Sequence, residues 1–247
     1  MTNQSRTSRV SSNPSDPVFP DAVTLMALWD ALQGLEPQMR PLRVALPWME
    51  KDARSLGAVQ AAALRGYAEH FGDRIRCQDQ CPDCAAQLGL DLSAIELLQA
   101  QGTAPATTGK LCWEGWTISY RLLGPGDLLE VSSDADTGRA QILDACIEDI
   151  EGPGEELPGD LVDMLGLQME REDPLAAAEM ALECPDCGAR WLSGFDACAT
   201  FLARIEAWAR RTLWEVHQLA MRYGWSQREL LQMSPLRREA YLLMDEL

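Results

Sequence analysis

The apolar residues of this chain recur mostly at helical spacing, broken by short alternating stretches. Over 21–35 they fall at Val23, Met26, Leu28 and Leu32, and Gly34 and Pro37 close that helix. The Pro-punctuated stretch 41–47 predicts a loop. The Ala-rich run 49–70 predicts a second helix, stopped at Phe71-Gly72. A short strand is expected over 87–92. Ser93 and Glu96 fit a capping box that opens a brief helix to Leu98 or beyond. A flexible loop over 102–109 precedes a strand or strand pair over 113–123, with Trp116, Ile118 and Tyr120 on one face. Past the Gly124-Pro125-Gly126 turn, helices are expected over 137–150, with Ile142, Cys146 and Ile147 inward, and over 159–169. Asp173-Pro174 predicts an N-cap with proline in the first turn, and so a further short helix to about Met180. The longest helix is expected over 196–223, ending at Gly224. Ser226 and Glu229 form a second capping box for a helix to about Met233. Ser234-Pro235 opens a last helix carrying Tyr241, Leu242 and Met244.

This pattern predicts a mainly α fold of the α+β class, with a small zinc-ribbon-like β element and a C-terminal helical segment. Four regions follow: a disordered N-terminal arm over 1–20, a helical region over 21–76, a ribbon-like region over 77–195 and C-terminal helices over 196–247. The arm is rich in Ser, Asn, Thr and Pro and lacks the apolar core of a signal peptide. No apolar run is long enough for a membrane span, so a cytoplasmic protein is expected.

Charge narrows the partners. The chain has 21 basic and 38 acidic residues, a net charge of −17. The stretch 124–183 is an acidic insert with 17 acidic residues against Arg139 and Arg171. Nucleic-acid affinity depends on neutralising phosphates, so this balance argues against a nucleic-acid partner. The acidic stretch reads either as a solvated face or as a surface that docks a basic protein.

Eight cysteines in a 247-residue chain carry the clearest chemistry. Two identical Cys-Pro-Asp-Cys hooks occur at Cys81–Cys84 and Cys184–Cys187. Each hook puts two thiolates on one side of a tight turn, and two hooks supply the four sulfurs that a tetrahedral Zn²⁺ accepts. The hooks are far apart in sequence, so the fold must bring them together around one structural ion. A thioredoxin-like redox pair is the alternative, though neither hook sits between a strand and a long helix; a third is that the thiols are unrelated and buried. Cys77, four residues before the first hook, could replace a ligand. Cys112, Cys146 and Cys198 read as small core residues.

Catalytic patterns are missing. His70 and His217 fall in expected helices with no nucleophile motif beside them, and neither Gly-Pro-Gly turn resembles a phosphate cradle. No enzyme and no small-molecule substrate are expected. The helices around Tyr223-Gly224-Trp225-Ser226 resemble a helix-turn-helix in which Arg228, Arg237 and Arg238 could meet phosphates; the alternatives are ordinary helix packing or a protein-binding face. Trp191, Trp208, Trp214, Trp225, Tyr223 and Tyr241 read as core, or as anchors for a partner.

Four stretches resemble the baseplate (hub) assembly chaperone family of contractile-tailed phages and bacterial contractile injection systems. They are Leu46-Pro47 through Lys51-Asp52-Ala53-Arg54 to Phe71-Gly72; the first hook with 88–98; Tyr120 to Leu128 through Gly124-Pro125-Gly126-Asp127; and a run from Asp173-Pro174 through the second hook, Trp191, Phe195-Asp196, Glu215 to Ala220, Tyr223 to Ser226 and Glu229 to Arg237-Arg238 and Tyr241-Leu242. The resemblance implies a cytoplasmic assembly factor that helps hub or tape-measure proteins enter a baseplate. It implies no catalytic residue. The first hook departs from the pattern, with Ala85 where the second has Gly188. A zinc-dependent DNA-binding regulator and a permanent structural subunit of the particle are the competing expectations.

Overall fold

A computed structural model of the chain describes residues 21–51, 54–102, 107–129, 131, 134–154 and 157–244. The expected 1–20 arm lies outside them, as do residues 103–106 of the expected 102–109 loop.

The N-terminal helix α1 (Ala22–Gln33) is capped by the Asp21 side chain and buries Leu25, Met26 and Leu32. The Pro-rich stretch after it is helical rather than looped. It forms α2 (Arg40–Val44) between two 3₁₀ turns, with proline in the first turn of each element, where a missing N–H costs nothing. Helix α3 (Leu56–Phe71) starts later than the Ala-rich pattern suggests, because Ser55 caps it; Gly72 stops it at a positive φ of 83°.

Next comes a strand that the sequence reading missed, β1 (Arg74–Gln80). It pairs antiparallel with β2 (Gln87–Ser93), and the first hook forms their turn. Helix α4 (Ala94–Gln101) is capped by Ser93, but the expected return contact from Glu96 is replaced: Asp73 accepts from the Ser93 hydroxyl and from the Ile95 N–H.

The middle of the chain forms a three-stranded antiparallel sheet. Strands β3 (Thr108–Trp113) and β4 (Trp116–Arg121) make a hairpin; the expected 113–123 stretch holds β4, and β3 is an unexpected strand that begins within the expected 102–109 loop. The expected 137–150 helix is shorter: α5 (Ala135–Cys146) ends where Ile147 turns extended, and β5 (Ile147–Glu151) pairs with β4. β-Branched Ile147 and Ile150 favour this pairing over further helix. Trp116, Ile118 and Tyr120 share one buried face, covered by Leu161 and Leu165 of α6 (Gly159–Glu172).

The helix expected after Asp173-Pro174 is only a turn. The chain becomes β6 (Glu179–Glu183), which pairs with β7 (Arg190–Gly194) across the second hook. Asp173 caps at a distance instead. Its buried carboxylate accepts from the Gly57 N–H in the first turn of α3 and from Gln101 of α4. Helix α7 (Ala197–Tyr223) matches its expected bounds, and Gly224 ends it in the left-handed region. Helix α8 (Gln227–Gln232) has the full capping box, and α9 (Pro235–Leu243) follows Ser234.

The architecture is therefore α+β, with small antiparallel sheets and a C-terminal helical region. Its largest core joins α1, α3 and the first half of α7, and takes in Ile75 of β1 and Leu175. Leu92 of β2 and Met180 of β6 pack against that core, so it seats the bases of both hook-bearing hairpins.

Candidate metal centre

Each hook sits where an antiparallel hairpin reverses, and the two reversals are built alike. In the first, the Cys81 N–H donates to the Ala86 carbonyl and the Ala85 N–H to the Cys81 carbonyl, at 2.9 and 3.0 Å. In the second, Cys184 donates to Ala189 and Gly188 to Cys184, both at 2.9 Å. The residue after each hook takes positive φ: 60° at Ala85 and 76° at Gly188. Glycine occupies that region freely, whereas a Cβ there crowds the following carbonyl. The departure at Ala85 thus places backbone strain in the first knuckle alone.

The hairpins bring the hooks together across about a hundred residues of chain. Cys81 Sγ lies 3.6 Å from Cys187 Sγ, and Cys84 Sγ lies 3.5 Å from Cys184 Sγ. All four sulfurs fall within 4.8 Å of one another. A tetrahedron with metal–sulfur bonds of ~2.3 Å has sulfurs ~3.8 Å apart, so this set fits a single tetrahedral ion. The pairing is reciprocal, with the first cysteine of each hook beside the last of the other. Cys81 and Cys184 are buried, while Cys84 and Cys187 face solvent.

The hairpins also touch directly. Asp79 of β1 accepts from the Trp191 indole of β7 at 3.3 Å and from Ser193, which holds its carboxyl below the usual carboxylate range. Nothing in the hook motif pointed to this contact. The signal was the alternation of Arg74, Ile75, Arg76 and Cys77, which marks β1 as a strand with Asp79 on it.

The thiols differ in acidity. Backbone N–H groups of Cys187 and Asp186 stabilise a thiolate at Cys184 and bring its pKa down to about 7. At Cys84 the Ala86 N–H acts in the same sense, but the neighbouring sulfurs, Cys184 foremost, push it up to about 12. Four thiolates at this spacing repel one another, and a divalent cation removes that repulsion. With four protein sulfurs such a site is closed, leaving no position for water or substrate.

Other sequence candidates separate from this centre. Cys77 is half-buried against the main core, and it does not belong to the four-sulfur group. Cys146 and Cys198 are core residues as expected, and burial pushes their thiols up to about 11 and about 12. Cys112 is a correction: it lies exposed on β3, because Leu111 takes the inward position of that strand. His70 is buried edge-on against Trp48, and desolvation lowers its pKa. His217 is exposed.

Arg238 does not face solvent for phosphate. It is 1% exposed, paired with Glu215 of α7 at 3.0 Å, and donates to the carbonyls of Met233 and Leu230. The aromatic group of the last quarter divides. Tyr223, Trp225 and Tyr241 pack together in a small C-terminal core, Trp208 joins the main core, Trp191 serves the knuckles, and Trp214 is exposed. Among the described residues no helix is long and apolar enough to cross a membrane.

No family model, no curated protein and no solved structure matches this chain.

Proposed function

We propose that this chain is a cytoplasmic, zinc-stapled adaptor that acts through protein–protein contacts, as an assembly chaperone for the baseplate hub of a phage-tail-like contractile injection system. The observation that carries the scaffold part of the reading is the convergence of Cys81, Cys84, Cys184 and Cys187. Four sulfurs in a tetrahedral set are the donors zinc prefers. A closed site of this kind stabilises rather than catalyses. Free energies of ~10–16 kcal/mol for such sites in peptides rival the whole stability of a domain. The assembly role rests on the resemblance carried by the two hooks, the 120–128 turn and the run from Asp173 to Leu242. Hub or tape-measure proteins are the partners this implies.

The buried Glu215–Arg238 pair counts against the DNA-binding alternative, since it removes one of the three arginines that a helix-turn-helix would use. The reading assigns no catalytic residue.

Two measurements test the proposal separately. Metal analysis of protein purified without added zinc should find about one zinc per chain, lost in Cys184→Ser. Co-expression with the neighbouring tail proteins should yield a stable complex with a hub or tape-measure component. Metal-free, fully folded wild-type protein overturns the scaffold. Absence of any complex with all of those proteins present overturns the assembly role, and recovery of the chain in finished particles would make it a structural subunit instead.

A further inference from the structure

Strand β5 is one of the two edges of the three-stranded sheet. The order is β3-β4-β5, and among the described residues no strand pairs with the outer side of β5. An edge of this kind presents alternate backbone N–H and C=O groups to whatever lies beside it. Its register with β4 is interrupted by a bulge: Ile150 lies opposite Ile118, Asp149 opposite Ser119 and Ile147 opposite Tyr120, which leaves Glu148 as the extra residue. Ile147 and Ile150 therefore both fall on the core face of the sheet. Ile118 and Tyr120 beside them are fully buried, yet Ile150 is 44% exposed. The apolar face runs out to this edge and is left uncovered there.

The charges on the same strand select an occupant. Glu148, Asp149 and Glu151 are exposed, and their carboxylates have no hydrogen-bond or ion-pair partner among the described residues. Arg121, whose charge reaches Glu148, is itself held by both oxygens of Asp127. A second β5 paired here would set acid against acid, which opposes self-association. A strand carrying basic residues would gain both the backbone bonds and the charge pairing.

We propose that the outer edge of β5 docks an extended basic segment of a protein partner by strand addition, with an apolar side chain of that segment covering Ile150. This goes beyond the adaptor reading and rests on it only for the claim that the chain works through protein contacts. It does not depend on which protein is bound.

The probe is a fluorescent eight-residue peptide of alternating lysine and valine, added to the full chain in metal-replete buffer. Its controls are the alternating glutamate–valine peptide and a lysine–valine peptide N-methylated on alternate amides. The basic peptide should bind at least about tenfold more tightly than either control. The triple variant Glu148→Lys, Asp149→Lys, Glu151→Lys should abolish the preference, and Ile150→Lys should weaken binding, with unchanged circular dichroism in both. Equal binding of the methylated peptide would reduce the effect to charge attraction and overturn strand addition. So would undiminished binding to the triple variant, or no binding of the basic peptide at high micromolar concentration. Hydrogen exchange identifies other occupants. Protection of the outward β5 amides in a dimer puts a second copy there, and protection in the peptide-free monomer puts the chain's own residues there; either result overturns the proposal. Failure here together with a hub complex in co-expression would remove this edge while leaving the adaptor reading in place.

Discussion

The two knuckle hairpins and the β3-β4-β5 sheet are all short antiparallel structures, yet they are held together differently. The sheet has its own apolar core, with Trp116, Ile118 and Tyr120 packed on Leu161 and Leu165. The outer ends of the hairpins have none. Along β2 and β7 burial alternates between half-buried and exposed, and what meets at the tips is four sulfurs and the Asp79–Trp191 bond. A two-stranded hairpin is marginal alone in water. Hence the sheet region is secured by burial, whereas the proposed zinc would secure the knuckle region. Within the knuckle region a finer difference appears, since Gly188 adopts its left-handed turn freely and Ala85 does so under strain.

The largest effect should come from removing the proposed zinc. Chelation, or Cys184→Ser, should melt the region around 74–93 and 179–194, while hydrogen exchange shows 108–121 and 159–172 still protected. The binding free energy at stake is on the order of 10 kcal/mol. Loss of protection in both regions together would show that they unfold as one unit, and the contrast drawn above would fail.

The converse perturbation attacks the sheet. A Cβ at Gly152 would lie 2.0 Å from the Trp116 ring, so Gly152→Ala must displace an indole from the sheet's core. Overpacking of this kind costs about 1–3 kcal/mol. Thermal unfolding should show that loss, with zinc content unchanged.

Gly188→Ala should cost about 1–2 kcal/mol, the penalty of a left-handed non-glycine residue, and should weaken metal retention against a competing chelator. The smallest effect is the mirror change. Ala85→Gly relieves the same strain but adds freedom to the unfolded chain, so a gain of only ~0.5–1 kcal/mol is expected in denaturant titration. If Ala85→Gly brings no gain while Gly188→Ala is costly, Ala85 holds its turn without strain and the difference between the knuckles fails.

Much of the helical layout was legible locally. The bounds of α7, the capping box at Ser226 and Glu229, and the stop at Gly224 all follow from short-range signals. The errors have one cause. Strand β1, the break between α5 and β5, and the turn after Asp173-Pro174 are settled by pairing with another strand: β2 and β7 just across the hooks, and β4 from well before α5. Asp173 looked like a cap for its own helix and instead caps α3, more than a hundred residues earlier. The same non-locality placed Arg238 in the interior against Glu215 and left Cys112 outside.

By itself the sequence determined the donor set, because only the residue types and their two-residue spacing make a hook. It also determined which segments favour helix, since caps and periodicity act within a few residues. Tertiary structure alone decided that Cys81 meets Cys187 and Cys84 meets Cys184, because that convergence depends on a shared core seating two hairpins a hundred residues apart.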